Sequence, residues 1–264
     1  MFATINDLKI HYEISGQKPG TAPWVTLSHS LASSMVMWKP QLELLEHSFS
    51  VLRYDTRGHG GTQTTSPPYS LEQLADDIRG LLAHLGIQKT HWLGLSLGGM
   101  IGQVLAINHP TCLDKVIIAN SNSQVAPPGV VMWNERAQSA KTSGMQPLVA
   151  PTLARWFTEP FHISHPQVLR EIGDIIASTN PEGYAGCCAA ISNMNNIQGI
   201  KKLSHPALVV VGLEDTATPL AMSQIIHGNW QGSILKTIPH AAHLSNLEQA
   251  GVFNELIIEF LKGI

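Results

Sequence analysis

One serine of the chain lies in a pattern that is typical of an enzymatic nucleophile. Residues 94–99 read Gly-Leu-Ser-Leu-Gly-Gly, with Ser96 at the centre of a G-x-S-x-G motif. The run His91–Leu95 predicts a strand and the run Met100–Asn108 predicts a helix, and a strand-to-helix turn is the context in which this motif marks a nucleophile. Glycines on either side of Ser96 leave room where a Cβ would collide with neighbouring backbone. The motif therefore predicts a serine hydroxyl raised above the end of a strand.

A serine nucleophile requires a base that removes its proton and an acid that orients the base. Asp215 follows the strand-like run Ala207–Val211, and His243 follows the run Ile234–Ile238. The carboxyl ends of parallel strands meet at one edge of a sheet, so we expect both side chains to lie near Ser96. The order serine, aspartate, histidine along the chain also fits a hydrolase triad of this kind.

Neighbouring side chains provide alternatives to this triad. Glu214 and His240 are the nearest rivals of the proposed acid and base. A thiol nucleophile at Cys187 or Cys188 is possible in principle, although small buried side chains on a helix fit these adjacent cysteines better. His240 and His243 have a spacing that could bind a metal, but no third ligand stands at a recognisable distance. We therefore expect no metal site.

Acyl transfer also needs two backbone N–H groups that point at the oxyanion of the tetrahedral intermediate. Leu97, the residue after the nucleophile, is the first predicted donor. The loop after the predicted strand Trp24–Ser28 reads His-Ser-Leu and ends at Leu31, which is the second predicted donor.

Apolar runs and amphipathic segments alternate over most of the chain, which predicts a mostly parallel sheet with helices on both faces. A helix is predicted from Ser70, a capping residue with Gln73 three positions later, to Gly86. Another helix is predicted to begin at Asn246 and to continue through Leu261. Eight strands are predicted: Phe2–Ile5, Leu8–Ser15, Trp24–Ser28, Val51–Tyr54, His91–Leu95, Lys115–Ala119, Ala207–Val211 and Ile234–Ile238.

The strand pattern is interrupted between residues 121 and 205, where prolines and glycines predict several short helices. This organisation predicts a core domain made of residues 1–120 and 206–264. Residues 121–205 are then a helical cap inserted into that domain.

Composition excludes several classes of protein. The 264 residues contain 16 Lys and Arg against 19 Asp and Glu, for a net charge of −3, so no basic surface for nucleic acid is expected. No apolar run approaches the roughly 18 residues that a membrane span requires. No secretory signal is visible, and three cysteines without a paired spacing indicate no disulfide framework. A soluble, cytoplasmic protein is expected, which would be a monomer or a small homo-oligomer.

Four further stretches of the sequence are characteristic of a known family: residues 27–31 (LSHSL), 53–60 (RYDTRGHG), 183–191 (GYAGCCAAI) and 243–249 (HLSNLEQ). With the motifs above, they make the chain resemble an α/β-hydrolase, and in particular the 3-oxoadipate enol-lactonases of bacterial aromatic degradation. The resemblance implies hydrolysis of an enol-lactone to 3-oxoadipate through an acyl-enzyme, with no cofactor. Residues 32–34, Ala-Ser-Ser, depart from the continuation expected after His-Ser-Leu, which leaves room for a shifted substrate.

A substrate of this class carries a free carboxylate that needs a charged or hydrogen-bonding partner when it is buried. Trp133 and Arg136 are three positions apart in the predicted cap, so a helix would place them on one face. Arg155, Lys141 and Arg170 are equally available cations of the cap.

Three other functions remain open. A general carboxylesterase or lactonase would use the same triad, and a hydrolase of carbon–carbon bonds in ring-cleavage products shares the architecture. A small-molecule receptor on a hydrolase fold is the alternative that is not an enzyme.

Overall fold

The computed structural model describes residues 1–263, in which the strands form one eight-stranded sheet. The strands are β1 (Phe2–Ile5), β2 (Leu8–Gly16), β3 (Trp24–Ser28), β4 (Ser50–Tyr54), β5 (Thr90–Leu95), β6 (Leu113–Ala119), β7 (Ala207–Gly212) and β8 (Ile234–Ile238). Their spatial order is β1-β2-β4-β3-β5-β6-β7-β8. Strand β2 pairs antiparallel with β1 and β4, and the other pairs are parallel. The predicted strands and the mostly parallel sheet are confirmed.

Helices cover both faces of this sheet. Helices α1 and α12 pack against each other as one group, and helices α2 and α3 pack against each other as a second group. Strands β5 and β7 are buried along their whole length, as expected for parallel strands between two helical layers. The helices are α1 (Lys39–Glu46), α2 (Leu71–His84), α3 (Leu97–Asn108), α4 (Pro127–Ser143), α5 (Val149–Trp156), α6 (Glu159–Ser164), α7 (Pro166–Ser178), α8 (Pro181–Ser192), α9 (Ile197–Ile200), α10 (Leu220–Asn229), α11 (Ser245–Glu248) and α12 (Ala250–Lys262).

The start of α2 agrees with its sequence signature. The Ser70 hydroxyl accepts a hydrogen bond from the Gln73 N–H at 3.1 Å, and Gly86 follows the helix with a φ of +70°. The serine satisfies a backbone donor that the first turn leaves free, and the glycine allows the left-handed conformation beyond the last turn.

Residues 121–205, called the helical segment below, connect β6 to β7 through α4–α9. Prolines stand in the first turn of α4, α7 and α8, where a missing N–H costs no hydrogen bond. The predicted series of short helices is therefore confirmed. Helix α8 meets the rest of the protein at Gly183, where a Cβ would lie 2.3 Å from the Gly58 carbonyl oxygen. Glycine is required at this close approach.

The prediction of one helix from Asn246 to Leu261 is wrong. The chain forms α11 and α12, and Gln249 between them has φ −125° and ψ 54°. The Asn246 side chain does not cap a helix, because it is buried and donates to the Met37 carbonyl at 3.0 Å. The hydrogen bond to Met37, a tertiary contact, has taken the place of the helix cap that the local sequence predicts.

Within residues 1–263, no helix combines the length and the apolar character that crossing a membrane requires.

Candidate active site

Ser96 lies in the sharp turn between β5 and α3. Its φ of 56° and ψ of −113° are unusual for a residue with a side chain. The turn is tight, since a Cβ on Gly94 would lie 2.2 Å from the Gly98 carbonyl oxygen, and one on Gly98 would lie 2.1 Å from that of Ser28. The predicted need for both glycines is confirmed. The Ser96 N–H also donates to the Ala119 carbonyl at 2.8 Å, which fixes the turn against β6.

Asp215 and His243 form a buried pair beyond the ends of β7 and β8. The His243 Nδ1 lies 2.9 Å from the Asp215 Oδ2, and their side chains are 4% and 0% exposed. Ser96 and His243 line the same cavity, called the active-site cavity below. The structure therefore brings together the three residues that the sequence predicted as a triad.

Three residues that the sequence did not predict hold the Asp215 carboxylate, two of them through their side chains. The Asn120 amide donates to Oδ2 at 2.9 Å, and the Thr218 hydroxyl donates to the same oxygen at 2.7 Å. The Thr218 and Ala217 N–H groups donate to Oδ1 at 2.9 and 2.8 Å. Asn120 follows directly after β6 with a φ of +44°. The available signal was a polar residue at the end of β6, which lies between β5 and β7, the strands that precede Ser96 and Asp215.

These contacts determine the charge of Asp215. Burial alone would raise the pKa of its carboxyl group. The charge and hydrogen bond of His243, together with the hydrogen bonds from Asn120 and Thr218, outweigh burial and lower the pKa of Asp215 to about 2. Asp215 is therefore an anion at neutral pH and accepts the Nδ1–H of His243.

The rival residues lie outside this arrangement. Glu214 and His240 have side chains that are 50% and 86% exposed, and their closest approach is 3.7 Å. Neither lines the active-site cavity. His240 and His243 have different acidic partners, and no group of three or more potential metal ligands occurs within residues 1–263.

The two adjacent cysteines are fully buried and line no wall of the active-site cavity. Burial raises the pKa of Cys187 well above its usual value and that of Cys188 to about 12. Because the thiolate is the reactive form, neither cysteine has the environment of a nucleophile.

The two predicted oxyanion donors have free N–H groups. The described residues offer no hydrogen-bond acceptor to the N–H of Leu31 or to that of Leu97. Leu97 is the first residue of α3, where an N–H has no partner inside the helix. Leu31 lines the active-site cavity beside Ser96. The positive end of the α3 dipole also favours negative charge at this position.

A buried histidine fixes the loop that contains Leu31. The His59 Nε2 accepts a hydrogen bond from the Ala32 N–H at 3.0 Å, and Ala32 has a φ of +57°. Burial and the nearby His29 lower the pKa of His59 to about 3. His59 must therefore be neutral, with its Nδ1–H facing the Arg57 carbonyl at 3.2 Å.

We expect this histidine to make stability fall in acid. The unfolded chain binds a proton on His59 below about pH 6.5, whereas the folded protein does so only near pH 3. Lowering the pH from 7 to 5 should therefore cost about 2 kcal/mol of unfolding free energy from this group alone. Urea unfolding at several pH values measures this loss. His59→Gln keeps an acceptor for the Ala32 N–H and should flatten the pH dependence.

His84→Gln, at an exposed position of α2, is the matched control and should keep the wild-type pH dependence. Equal slopes for wild type and His59→Gln would contradict the assignment.

Two arginines of the helical segment face the active-site cavity. Arg136 and Arg155 both line it, and no Asp or Glu is among its lining residues. The Arg136 Nε donates to the Tyr184 hydroxyl at 3.0 Å, and its guanidinium lies 4.8 Å from the centre of the Trp133 ring. The Arg155 Nε is buried without a hydrogen-bond partner within residues 1–263. Burial and the neighbouring Arg136 lower the pKa of Arg155.

The other cations of the helical segment lie elsewhere. Lys141 pairs with Glu182 at 3.1 Å, and Arg170 is exposed. The active-site cavity, of about 130 Å³, therefore contains two positive charges that no acidic residue of its lining neutralises.

The fold and this arrangement of residues place the chain among known hydrolases. A family model described as the alpha/beta hydrolase fold matches residues 23–250. The chain belongs to this family.

Relatives and solved structures are similar over nearly the whole chain. The 3-oxoadipate enol-lactonase 2 of Acinetobacter baylyi is 33% identical, and the alignment covers 98% of this chain and 95% of that protein. The crystal structure of the enol-lactonase from Burkholderia xenovorans LB400 has 37% identity and a TM-score of 0.96, and covers 99% of this chain and 100% of that one. A malate-bound thermophilic esterase from Thermogutta terrifontis has 27% identity and a TM-score of 0.93, and the match covers 100% of this chain and 98% of that one. The predicted family resemblance is confirmed.

Proposed function

We propose that the protein is a serine hydrolase that opens an enol-lactone through an acyl-enzyme, with 3-oxoadipate enol-lactone as the substrate that its relatives suggest. Ser96 is the nucleophile, His243 the base and Asp215 the acid that orients it. The observation that supports this most strongly is the buried His243–Asp215 hydrogen bond of 2.9 Å beside the strained Ser96 turn.

In the first half of the reaction, the Ser96 oxygen attacks the lactone carbonyl carbon while its proton moves to the Nε2 of His243. The carbonyl oxygen becomes an oxyanion, and the free N–H groups of Leu31 and Leu97 stabilise it. The bond between the carbonyl carbon and the ring oxygen then breaks, and His243 gives its proton to the departing enol oxygen. An enol oxygen leaves more easily than an alkoxide.

In the second half, water replaces the serine. His243 removes a proton from a water molecule, whose oxygen attacks the acyl-enzyme carbonyl and again creates an oxyanion between the two N–H groups. The ester bond to Ser96 breaks and His243 returns the proton to the serine oxygen. One water is consumed, and the new carboxyl group leaves as a carboxylate and releases a proton to solvent. Asp215 remains ionised and stabilises the imidazolium of His243 in both halves.

The substrate's own carboxylate needs a partner inside the cavity, and Arg136 and Arg155 are suited to it. A guanidinium offers two parallel N–H donors that match a carboxylate. Tyr184 and the Trp133 ring hold Arg136 in place, and the Arg155 Nε, which has no partner among residues 1–263, has a donor to offer. An anionic substrate would neutralise a cavity that otherwise contains uncompensated positive charge.

Residues 121–205 would then act as a cap over a core of residues 1–120 and 206–264, since the helical segment supplies both arginines. We further propose that the enzyme works in the cytoplasm without a cofactor, as a monomer or a small homo-oligomer, and has no nucleic-acid partner.

Steady-state assays on 3-oxoadipate enol-lactone and on p-nitrophenyl acetate test the function. We expect multiple turnover of both, with a kcat/KM for the carboxylated lactone that is higher by orders of magnitude. Higher efficiency on neutral esters would favour a general esterase. A single turnover followed by retained ligand would favour a receptor.

Removing either arginine should affect only substrates with a carboxylate. Arg136→Met or Arg155→Met should raise KM for the enol-lactone about 10- to 100-fold, which corresponds to roughly 1.4–3 kcal/mol for a lost charge-assisted hydrogen bond. Hydrolysis of p-nitrophenyl acetate should hardly change, since this ester has no carboxylate. Initial rates over a range of substrate concentrations measure both effects.

Lys141→Met is the matched control, because this cation lies on the helical segment but pairs with Glu182 outside the cavity. It should leave KM for the lactone unchanged. Equal losses on both substrates in the arginine variants would indicate a misfolded segment and would contradict charge recognition.

A further inference from the structure

A second cavity, called the side chamber below, adjoins the active-site cavity. Its volume is about 360 Å³, compared with about 130 Å³ for the active-site cavity. The two cavities share part of their walls, so they are neighbouring compartments of one cleft. The shared residues are Met100, Met132, Trp133, Ile191, Ala217 and Thr218.

The side chamber differs from the active-site cavity in its chemistry. Its remaining lining includes Val125 and Gly129 near the start of α4, and Met222 and Ile225 on α10. The lining contains no charged residue, and its polar side chains are Asn122, Gln124 and Thr218. Methionine side chains adapt to ligands of different shape. Hydrolysis of a small enol-lactone makes no use of this apolar space.

We propose that the side chamber binds an apolar substituent of the substrate. Besides the unsubstituted enol-lactone, the substrates would then include esters or lactones that carry an alkyl or aryl group together with a carboxylate for the arginines. This inference rests on the proposed function, since the chamber is useful to catalysis only if Ser96 reacts. The reaction itself is unchanged: water adds across the ester bond and gives a carboxylate and an alcohol or enol.

The shared walls argue for a substrate group as the occupant. Met100 and Thr218 line both compartments, and Thr218 also donates to Asp215. A group in the side chamber therefore lies within one molecule's length of the reacting atoms. The wall residues Val125, Met222 and Ile225 are half-buried, whereas Gln124, Ala126 and Met132 are exposed at the mouth, so the chamber opens to solvent on one side and to the active-site cavity on the other.

Two series of esters test the inference, one for each side of the ester bond. The p-nitrophenyl esters from acetate to octanoate lengthen the acyl side, and monoalkyl succinates from methyl to hexyl lengthen the alcohol side. In at least one series we expect kcat/KM to rise about fourfold per methylene until the chamber is full, because each buried methylene contributes about 0.8 kcal/mol. Flat or falling values in both series would overturn the inference. Turnover of none of the esters, including acetate, would instead overturn the proposed function.

A variant that fills the chamber provides an independent test. Met222→Trp should lower the ratio of kcat/KM for the longest to the shortest ester about tenfold or more. Ile225→Trp, from the same wall, should do the same if Met222→Trp folds poorly. Ala221→Trp introduces the same side chain at an exposed neighbouring position that lines neither cavity, and should keep the wild-type ratio. An unchanged ratio in both Met222→Trp and Ile225→Trp would show that the alkyl group of the ester binds outside the side chamber.

Discussion

Ser96→Ala is expected to abolish turnover, with kcat lower by about 10⁶-fold, while the protein stays folded. The substitution removes one oxygen atom, and the glycines around position 96 keep the turn possible. Adding His243→Ala should cost little more, because the members of a triad act as a unit. Rates with p-nitrophenyl acetate and circular dichroism of each variant measure the two parts of this prediction.

Ser223→Ala is the matched control for this experiment. Ser223 is also buried, and its hydroxyl has no partner among residues 1–263, so its loss should leave kcat unchanged. If Ser96→Ala retained a tenth of the wild-type activity, the nucleophile would have to be another residue.

The positions of the three proposed catalytic residues could be predicted because each follows an apolar run. The runs before Ser96, Asp215 and His243 are β-rich and became β5, β7 and β8. Parallel strands end at the same edge of a sheet, so three positions that are distant in the chain were expected to be close in space. The strand limits differ from the predicted ones by at most two residues, as for β6, which begins at Leu113.

The residues that hold Asp215 could not be predicted in the same way. Asn120 lies 95 positions from Asp215 and donates to its carboxylate across β6 and β7. No spacing or motif in the sequence connects the two residues. The prediction that a helix begins at Asn246 was wrong for a related reason. The local sequence favours a helix start there, but the Asn246 side chain donates to the Met37 carbonyl in a tertiary contact. Local patterns predict elements, but long-range polar contacts depend on how the elements pack.

The choice between the cations of the helical segment also depended on packing. Arg136, Arg155, Lys141 and Arg170 are equivalent in the sequence, since each stands in an amphipathic or proline-bounded run. The packing of α4 against α8 and of α5 against α7 decides that, of these four, Arg136 and Arg155 line the active-site cavity.

Asp215→Asn is expected to lower kcat by roughly 10⁴-fold, which is the effect of the same change in a serine protease triad. The wild-type carboxylate, with its pKa of about 2, accepts the Nδ1–H of His243. An asparagine amide can turn its NH₂ group toward Nδ1 and so favour the tautomer in which Nε2 carries the proton and cannot accept one from Ser96. Pre-steady-state measurement of p-nitrophenol release from p-nitrophenyl acetate should show that acylation is the slowed step.

Glu214→Gln separates the two candidate acids, because it makes the same chemical change at the adjacent position. The Glu214 side chain is half exposed and lies 3.7 Å from His240, outside the active-site cavity. Because an exposed ion pair contributes little free energy, kcat of this variant should stay within about threefold of wild type. Five hydrogen bonds converge on the Asp215 carboxylate from His243, Asn120, Thr218 and Ala217. The Glu214 carboxylate accepts none of these hydrogen bonds. A larger loss in Glu214→Gln than in Asp215→Asn would therefore reverse the assignment of the acid.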